Sequence, residues 1–191
     1  MRLVGLFSAV VLSACGGVQS LASSTFENDA DGWALSGNGD GTGPTLQGNG
    51  GNPGGHLCGK DVKDGDTWYF VAPAKYLGNR TTAYGKRITW DLKQEKTFNL
   101  IRGRDVVLNG GGLALTYNVR SAPGTEWTPF SVSLDDTSGW LVENGATQGM
   151  AATAEDLKSV LRNLTSLRIR GEFYDGPNDS ACLDNVYFGT P

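Results

Sequence analysis

The sequence has 191 residues and a formal net charge of -4, the size of one domain able to bury a substantial core. No basic cluster is present that could neutralise a run of phosphates, which excludes nucleic acid as a partner class. His56 is the only histidine, and no Gly-x-Ser-x-Gly elbow, His-Glu-x-x-His or phosphate loop occurs, so no familiar catalytic apparatus is written into the chain.

At the N-terminus, Arg2 precedes the apolar run Leu3 to Leu12 and then Ser13-Ala14-Cys15. About ten apolar residues are too few to span a hydrocarbon core, which needs roughly 20, so the segment reads as a cleaved targeting signal. Ser13-Ala14-Cys15 resembles the lipobox of bacterial lipoproteins, whose cysteine is lipidated before cleavage in front of it. The resemblance implies a signal peptide over 1–14, a lipid on Cys15, and residence in a bacterial cell envelope with the membrane as a partner. Gly16 in place of Asp points to the outer membrane if the cell has two. Residues 15–24 are small and polar, a tether. The domain is expected over 25–191.

Export permits oxidation, and the remaining cysteines, Cys58 and Cys182, form an even pair. A disulfide closing a loop of more than a hundred residues is expected, with two buried thiols as the alternative. Glycine concentrates in Gly37 to Gly55 and Gly110 to Gly112, read as loops. Strict alternation marks strands: Ile88, Trp90 and Leu92; Leu113, Leu115, Tyr117 and Val119; Phe130, Val132 and Leu134; Leu167, Ile169 and Phe173 around Gly171. Such runs between Gly, Pro, Asn and Asp clusters predict an all-β, antiparallel sandwich. A short helix is expected after Thr153, which can cap Asp156, with Leu157, Val160, Leu161 and Leu164 on one face; Pro73 to Leu77 is a second, single-turn candidate.

Trp68-Tyr69-Phe70-Val71-Ala72-Pro73-Ala74-Lys75-Tyr76-Leu77-Gly78, followed by Tyr84-Gly85, is similar to the signature of the laminin domain IV (laminin B) family. Asp105-Val106-Val107-Leu108 with Gly110, Gly112 and Leu113, and the helix followed by Arg168-Ile169-Arg170, resemble later parts of the same family in the same order. The resemblance covers roughly residues 25–188 and implies a jelly-roll β-sandwich, like carbohydrate-binding modules, with no catalytic residues. The flanking cysteine-rich modules and coiled coil of animal laminins are not in this sequence, so matrix assembly does not carry over.

The sharpest chemical expectation concerns the last strand. Regular alternation would place Asp184 on the same face as Val186 and Phe188, and an inward carboxylate needs a partner. Phe26-Glu27 with Asp31-Gly32-Trp33, together with Leu183-Asp184-Asn185-Val186, resembles the two chain ends that hold a structural Ca²⁺ in many carbohydrate-binding modules. On that resemblance Glu27 and Asp184 supply side-chain oxygens, and Lys60 or Asp61 contributes nearby. The competing readings are a β-bulge that turns Asp184 outward, an Asp184 that caps neighbouring amides by hydrogen bonds, and a separate acidic turn of Asp61, Asp64 and Asp66.

Asp135 and Asp136 are read as turn initiators and His56 as a strand residue rather than a general base. Trp127, Trp140 and Tyr174 sit beside turns and are the candidates to present flat faces to sugar rings, or else to plug the ends of the sandwich; Trp33, Trp68 and Trp90 are core. The expectation is a non-catalytic, lipid-anchored module for a glycan or other extracellular polymer, with structural calcium. A structural or protein-binding envelope module is the alternative, and a polysaccharide-degrading enzyme the less favoured one.

Overall fold

A computed structural model describes residues 19–37, 39, 43–61, 65–143 and 149–191. The expected signal peptide, Cys15 and Asp64 lie outside the described residues. Among the described residues, twelve strands numbered in chain order form two six-stranded antiparallel sheets. The first runs β3 (Thr45–Gly51), β4 (Gly54–Lys60), β12 (Ser180–Thr190), β6 (Arg87–Gln94), β9 (Thr128–Ser133), with β1 (Ala22–Ser24) also paired to β12. The second runs β10 (Leu141–Val142), β8 (Leu113–Tyr117), β7 (Val106–Gly110), β11 (Leu164–Arg170), β5 (Tyr69–Val71), β2 (Ala34–Ser36). The architecture is the jelly-roll β-sandwich that the alternating runs and the family resemblance predict.

The period of two in the sequence becomes a two-sided sheet. Ile88, Trp90 and Leu92 of β6, Val106 and Leu108 of β7, Leu167 and Ile169 of β11, and Leu183, Val186 and Phe188 of β12 are buried together between the sheets. Trp68 and Phe70 fill the middle, edge to face at 5.2 Å. The indole of Trp68 demands glycine on both sides: a Cβ at Gly171 would lie 2.0 Å from Trp68 Cζ3, and one at Gly59 2.6 Å from the same atom. No side chain fits at either position without displacing the ring.

The helix expected after Thr153 is α1 (Ala154–Arg162). The Asp156 N–H donates to Thr153 Oγ1 at 3.2 Å, and Asp156 Oδ2 accepts from the Thr153 N–H at 2.9 Å, a reciprocal cap. Its buried face, Leu157, Val160 and Leu161, packs on β7 and β8. Ala74–Tyr76 forms the expected single turn, of the tighter 3₁₀ kind. The glycine-rich stretch departs from expectation: much of Gly37 to Gly55 is strand, the hairpin β3–β4, with a cis Asn52-Pro53 peptide at its tip. Cys58 and Cys182 face each other across β4 and β12 and are joined, S–S 2.08 Å.

An acidic group sits under the Trp68 end of the core. Glu172 Oε2 accepts the Trp68 N–H at 3.1 Å, and both Asp61 and Asp179 are 0 % exposed nearby. Burial raises the Glu172 carboxyl from an ordinary 4.5 to about 7, helped by the negative charges of Asp61 and Asp179 and opposed by the Trp68 N–H and Arg170. A carboxyl raised by folding holds a proton that the unfolded chain has already released. Its contribution to stability is therefore complete below about 4.5 and is lost as pH rises through about 7. Glu172→Gln, which keeps an acceptor for Trp68, should flatten this part of the curve: the difference in urea midpoint between pH 5 and pH 8 shrinks. An unchanged difference would show that Glu172 ionises in the fold without cost.

Candidate functional site

The outer face of the β3–β4–β12–β6–β9 sheet carries the site. Alternation and strand register set its rows. Thr45, Cys58, Cys182 and Lys93 stand side by side across four strands, Gln47 and His56 follow on β3 and β4, and Thr89, Tyr187 and Ser131 lie further along. This face holds two cavities. One of about 530 Å³ is lined by Gln47, His56, Lys93, Gln94 and the disulfide; the other, about 940 Å³, by Asn52, Arg87, Thr89, Phe130, Asn185 and Tyr187.

Trp127, just ahead of β9, packs on two of the first cavity's lining residues, His56 and Lys93. Its Nε1 donates to the Gly50 carbonyl at 2.9 Å, its ring meets His56 edge-on at 5.2 Å, and the Lys93 ammonium sits 4.4 Å from the ring centre. The ring is thus fixed by three elements while remaining half-exposed. His56 is buried with Nδ1 unpartnered among the described residues, and burial, then Lys93, pushes its pKa down, so the imidazole is neutral near pH 7. It is a strand residue, as expected.

Asp184 is placed differently from the sequence expectation. Cys182 faces out and Leu183 in, and Asp184 pairs with Asp91, so it belongs to the outer face. An irregularity between Asp184 and Tyr187, with Asn185 at φ 50°, restores Val186 and Phe188 to the core. The bulge reading holds, yet Asp184 is still 0 % exposed because the β3–β4 hairpin folds over it. Asn52 N–H donates to Asp184 Oδ2 at 2.6 Å, and Asn52 and Asn185 side-chain amides both donate to Asp91 Oδ2 (3.1 and 2.9 Å). Glycine lets the hairpin come this close: a Cβ at Gly51 would be 2.8 Å from Asp184 Oδ2, and one at Gly54 2.2 Å from Glu27 Oε2. The Gly55 N–H reaches Glu27 Oε2 at 3.2 Å. Burial raises the Asp184 carboxyl to about 6, opposed by the two backbone N–H groups and reinforced by the negative charges of Asp91 and Glu27.

Glu27 and Asp184 therefore both reach the β3–β4 hairpin, while Asp61 does not join them. It sits past the far end of β4, roughly 20 Å along a strand rising ~3.3 Å per residue, where its N–H donates to the Asp179 carbonyl at 2.8 Å beside Glu172. Of the separate acidic turn, Asp64 lies outside the described residues, Asp61 is fully buried and Asp66 exposed.

Of the three candidate aromatics, Trp127 is the one that packs on His56 and Lys93 of the first cavity. Trp140 is 1 % exposed, tilted against Tyr117 with Nε1 on the Ser133 carbonyl, and is a core residue. Tyr174 is half-buried against Phe98 and the Lys96 ammonium and lines neither cavity. Asp135 accepts from the Thr137 N–H and the Thr137 and Ser138 hydroxyls, the turn role expected of it, and Asp136 accepts from the Tyr84 hydroxyl. Asp91 and Asn52 were not singled out by the sequence: an Asp in alternation reads as a solvated outer residue, and only the hairpin's return onto the face shows otherwise.

The laminin B (domain IV) family model matches residues 69–190. Laminin subunit gamma-1 of Danio rerio is 30% identical over 183 residues, covering 94% of this chain and 11% of that protein, and laminin subunit gamma-2 of Equus caballus is 29% identical, covering 85% and 13%. The chain thus spans about a tenth of the length of these relatives. Among solved structures, the L4b domain of human laminin alpha-2 superposes with a TM-score of 0.63 at 12% identity, covering 92% of this chain and all of that one. A family 11 carbohydrate-binding module from a cellulosomal cellulase of Clostridium thermocellum gives 0.51 at 13% identity, covering 98% and 97%. These two likenesses are of fold. With its signature strand, glycine-flanked Trp68 and two-sheet sandwich in place, the chain belongs to the laminin B (domain IV) family.

Proposed function

We propose that this protein is a non-catalytic binding module that takes a glycan on the outer face of the β3–β4–β12–β6–β9 sheet. The observation that carries the reading is Trp127: a half-buried indole held in place by Gly50, His56 and Lys93, the last two of which line a cavity whose walls are amide, imidazole and ammonium groups. A pyranose has an apolar face to stack and a ring of hydroxyls to hydrogen-bond, and this surface offers both kinds of partner without reorganising. The lipobox-like Ser13-Ala14-Cys15 supports a lipid anchor on Cys15 that presents the module at a bacterial envelope.

The hairpin site fits a structural Ca²⁺. A hard dication would neutralise the two carboxylates and so remove the cost of burying Asp184, and oxygen ligands are what it requires. Glu27 and Asp184 would hold it, joining the N-terminal segment, the hairpin and β12.

Retention of the purified chain on polysaccharides, run in calcium and again in chelator, tests the first reading. Trp127→Ala should weaken retention about tenfold, the size of one aromatic stacking contact, with the circular dichroism spectrum unchanged. A blank across glycans with an intact fold, or full retention in the variant, sinks it and leaves a protein partner as the reading. For the metal, Ca²⁺ at a hundredfold excess over its Kd should raise the melting temperature of chelator-treated protein by roughly 5–10 °C. Asp184→Asn should abolish the shift; a wild type that does not respond to Ca²⁺ overturns the site.

A further inference from the structure

The opposite sheet carries a second surface with different chemistry. On β11 the inward positions are Leu167 and Ile169, so Arg168 and Arg170 face outward, flanked by Tyr69 and Val71 of β5 and by Val107 of β7. The loop ahead of β7 brings Arg102 and Arg104 to the same place. The four guanidinium groups and the Tyr69 ring wall a cavity of about 550 Å³. In a chain of net charge -4 this is a local reversal of sign.

Each arginine can be accounted for. Arg170 is 2 % exposed; its Nη1 donates to the Gly103 carbonyl at 2.8 Å and to Asp105 Oδ1 at 3.3 Å, while its Nε is buried with no partner among the described residues. Arg168 lies over the Tyr69 ring, its guanidinium carbon 5.0 Å from the ring centre, and its Nε is likewise buried and unpartnered. Arg104 pairs with Glu143 at 2.5 Å, and Arg102 Nη1 donates to the Arg120 carbonyl at 3.0 Å. Glu143 and the exposed Asp66 also line the cavity, so its charge is not wholly positive. The donors nonetheless exceed the acceptors: Arg168, half-buried over the Tyr69 ring, and Arg102, exposed, both turn guanidinium groups to the cavity. That is the arrangement that receives a planar or tetrahedral oxyanion in bidentate fashion, at low ordering cost.

We infer that this cleft binds the charged substituent of an acidic glycan, a uronate carboxylate or a sulfate ester, with Arg168 and Arg102 contacting the oxyanion and Tyr69 the sugar ring. Arg170, tied to Asp105 and Gly103, is a positioning residue that supplies fixed charge. The assignment of a sugar carrier rests on the reading of the protein as a glycan-binding module; the site itself stands on the other face of the sandwich and uses none of the same residues.

Calorimetric titration of the purified chain with oligogalacturonate, with a sulfated oligosaccharide, with a neutral oligosaccharide and with inorganic sulfate tests this. At least one acidic oligomer should bind, with affinity falling as salt rises. Arg168→Gln and the exposed-site variant Arg102→Gln should each weaken it by about tenfold or more. Absence of binding by both acidic oligomers, or equal binding by the Arg102→Gln/Arg168→Gln double variant, overturns the proposal. Inorganic sulfate binding as tightly as the sulfated oligomer overturns the glycan assignment. Retention of neutral glycan through Trp127 with no acidic binding overturns this inference alone and leaves the proposed function standing.

Discussion

Strand β12 has two tasks that a regular strand cannot perform together. It must hold Leu183, Val186 and Phe188 in the core between two sheets, and it must offer Asp184 to the hairpin that folds over the opposite face. One irregular step at Asn185 reconciles them. Around that step the neighbours are arranged: β4 and β6 pair with the strand on either side, β1 takes over where β4 leaves off, and Cys58 locks the register against Cys182. In the chain-entropy picture a bridge over a loop of this order is worth ~4.7 kcal/mol nominally, less in practice, and here it secures the strand to which most of the site is attached.

The parts of the fold legible in the sequence were those where a period of two survives unbroken. Ile88, Trp90 and Leu92 announced β6, and Leu167 and Ile169 announced β11, because their alternating partners are polar and the contrast is visible in a single chain. The β3–β4 hairpin was invisible for the converse reason. Gly48, Gly50, Gly51, Gly54 and Gly55 have no hydropathy to alternate, and those strands exist because β12 pairs with β4 and β4 with β3. The face of Asp184 was misread by one residue of register, which is all a bulge needs to invert a side chain. Trp127 and Trp140 illustrate the same limit: both neighbour turns in sequence, and only the tertiary fold sends one onto His56 of the outer face and the other inward.

The two outer faces divide the chemistry between them. One is a neutral, amide-rich surface with a single pinned indole, and the other an arginine cleft opened by outward alternation on β11. The core between them is closed to variation at its centre, since the Trp68 ring occupies the space that a side chain at Gly59 or Gly171 would need. A family that keeps this centre is free to change what its faces recognise, and the kinship with laminin gamma subunits fixes the scaffold without fixing either surface.

The pairing of β1 with β12 also decides how the domain answers a pull. A load applied upstream of Ala22 enters β1 and passes by backbone hydrogen bonds directly to Val186–Phe188, and from there through the cross-linked strand to β4. The path runs down one sheet, through the disulfide that walls the first cavity, and misses the arginine cleft on the other sheet. Tension entering there would be borne first by the β1–β12 strand pair, while the arginine cleft on the opposite sheet would stay slack.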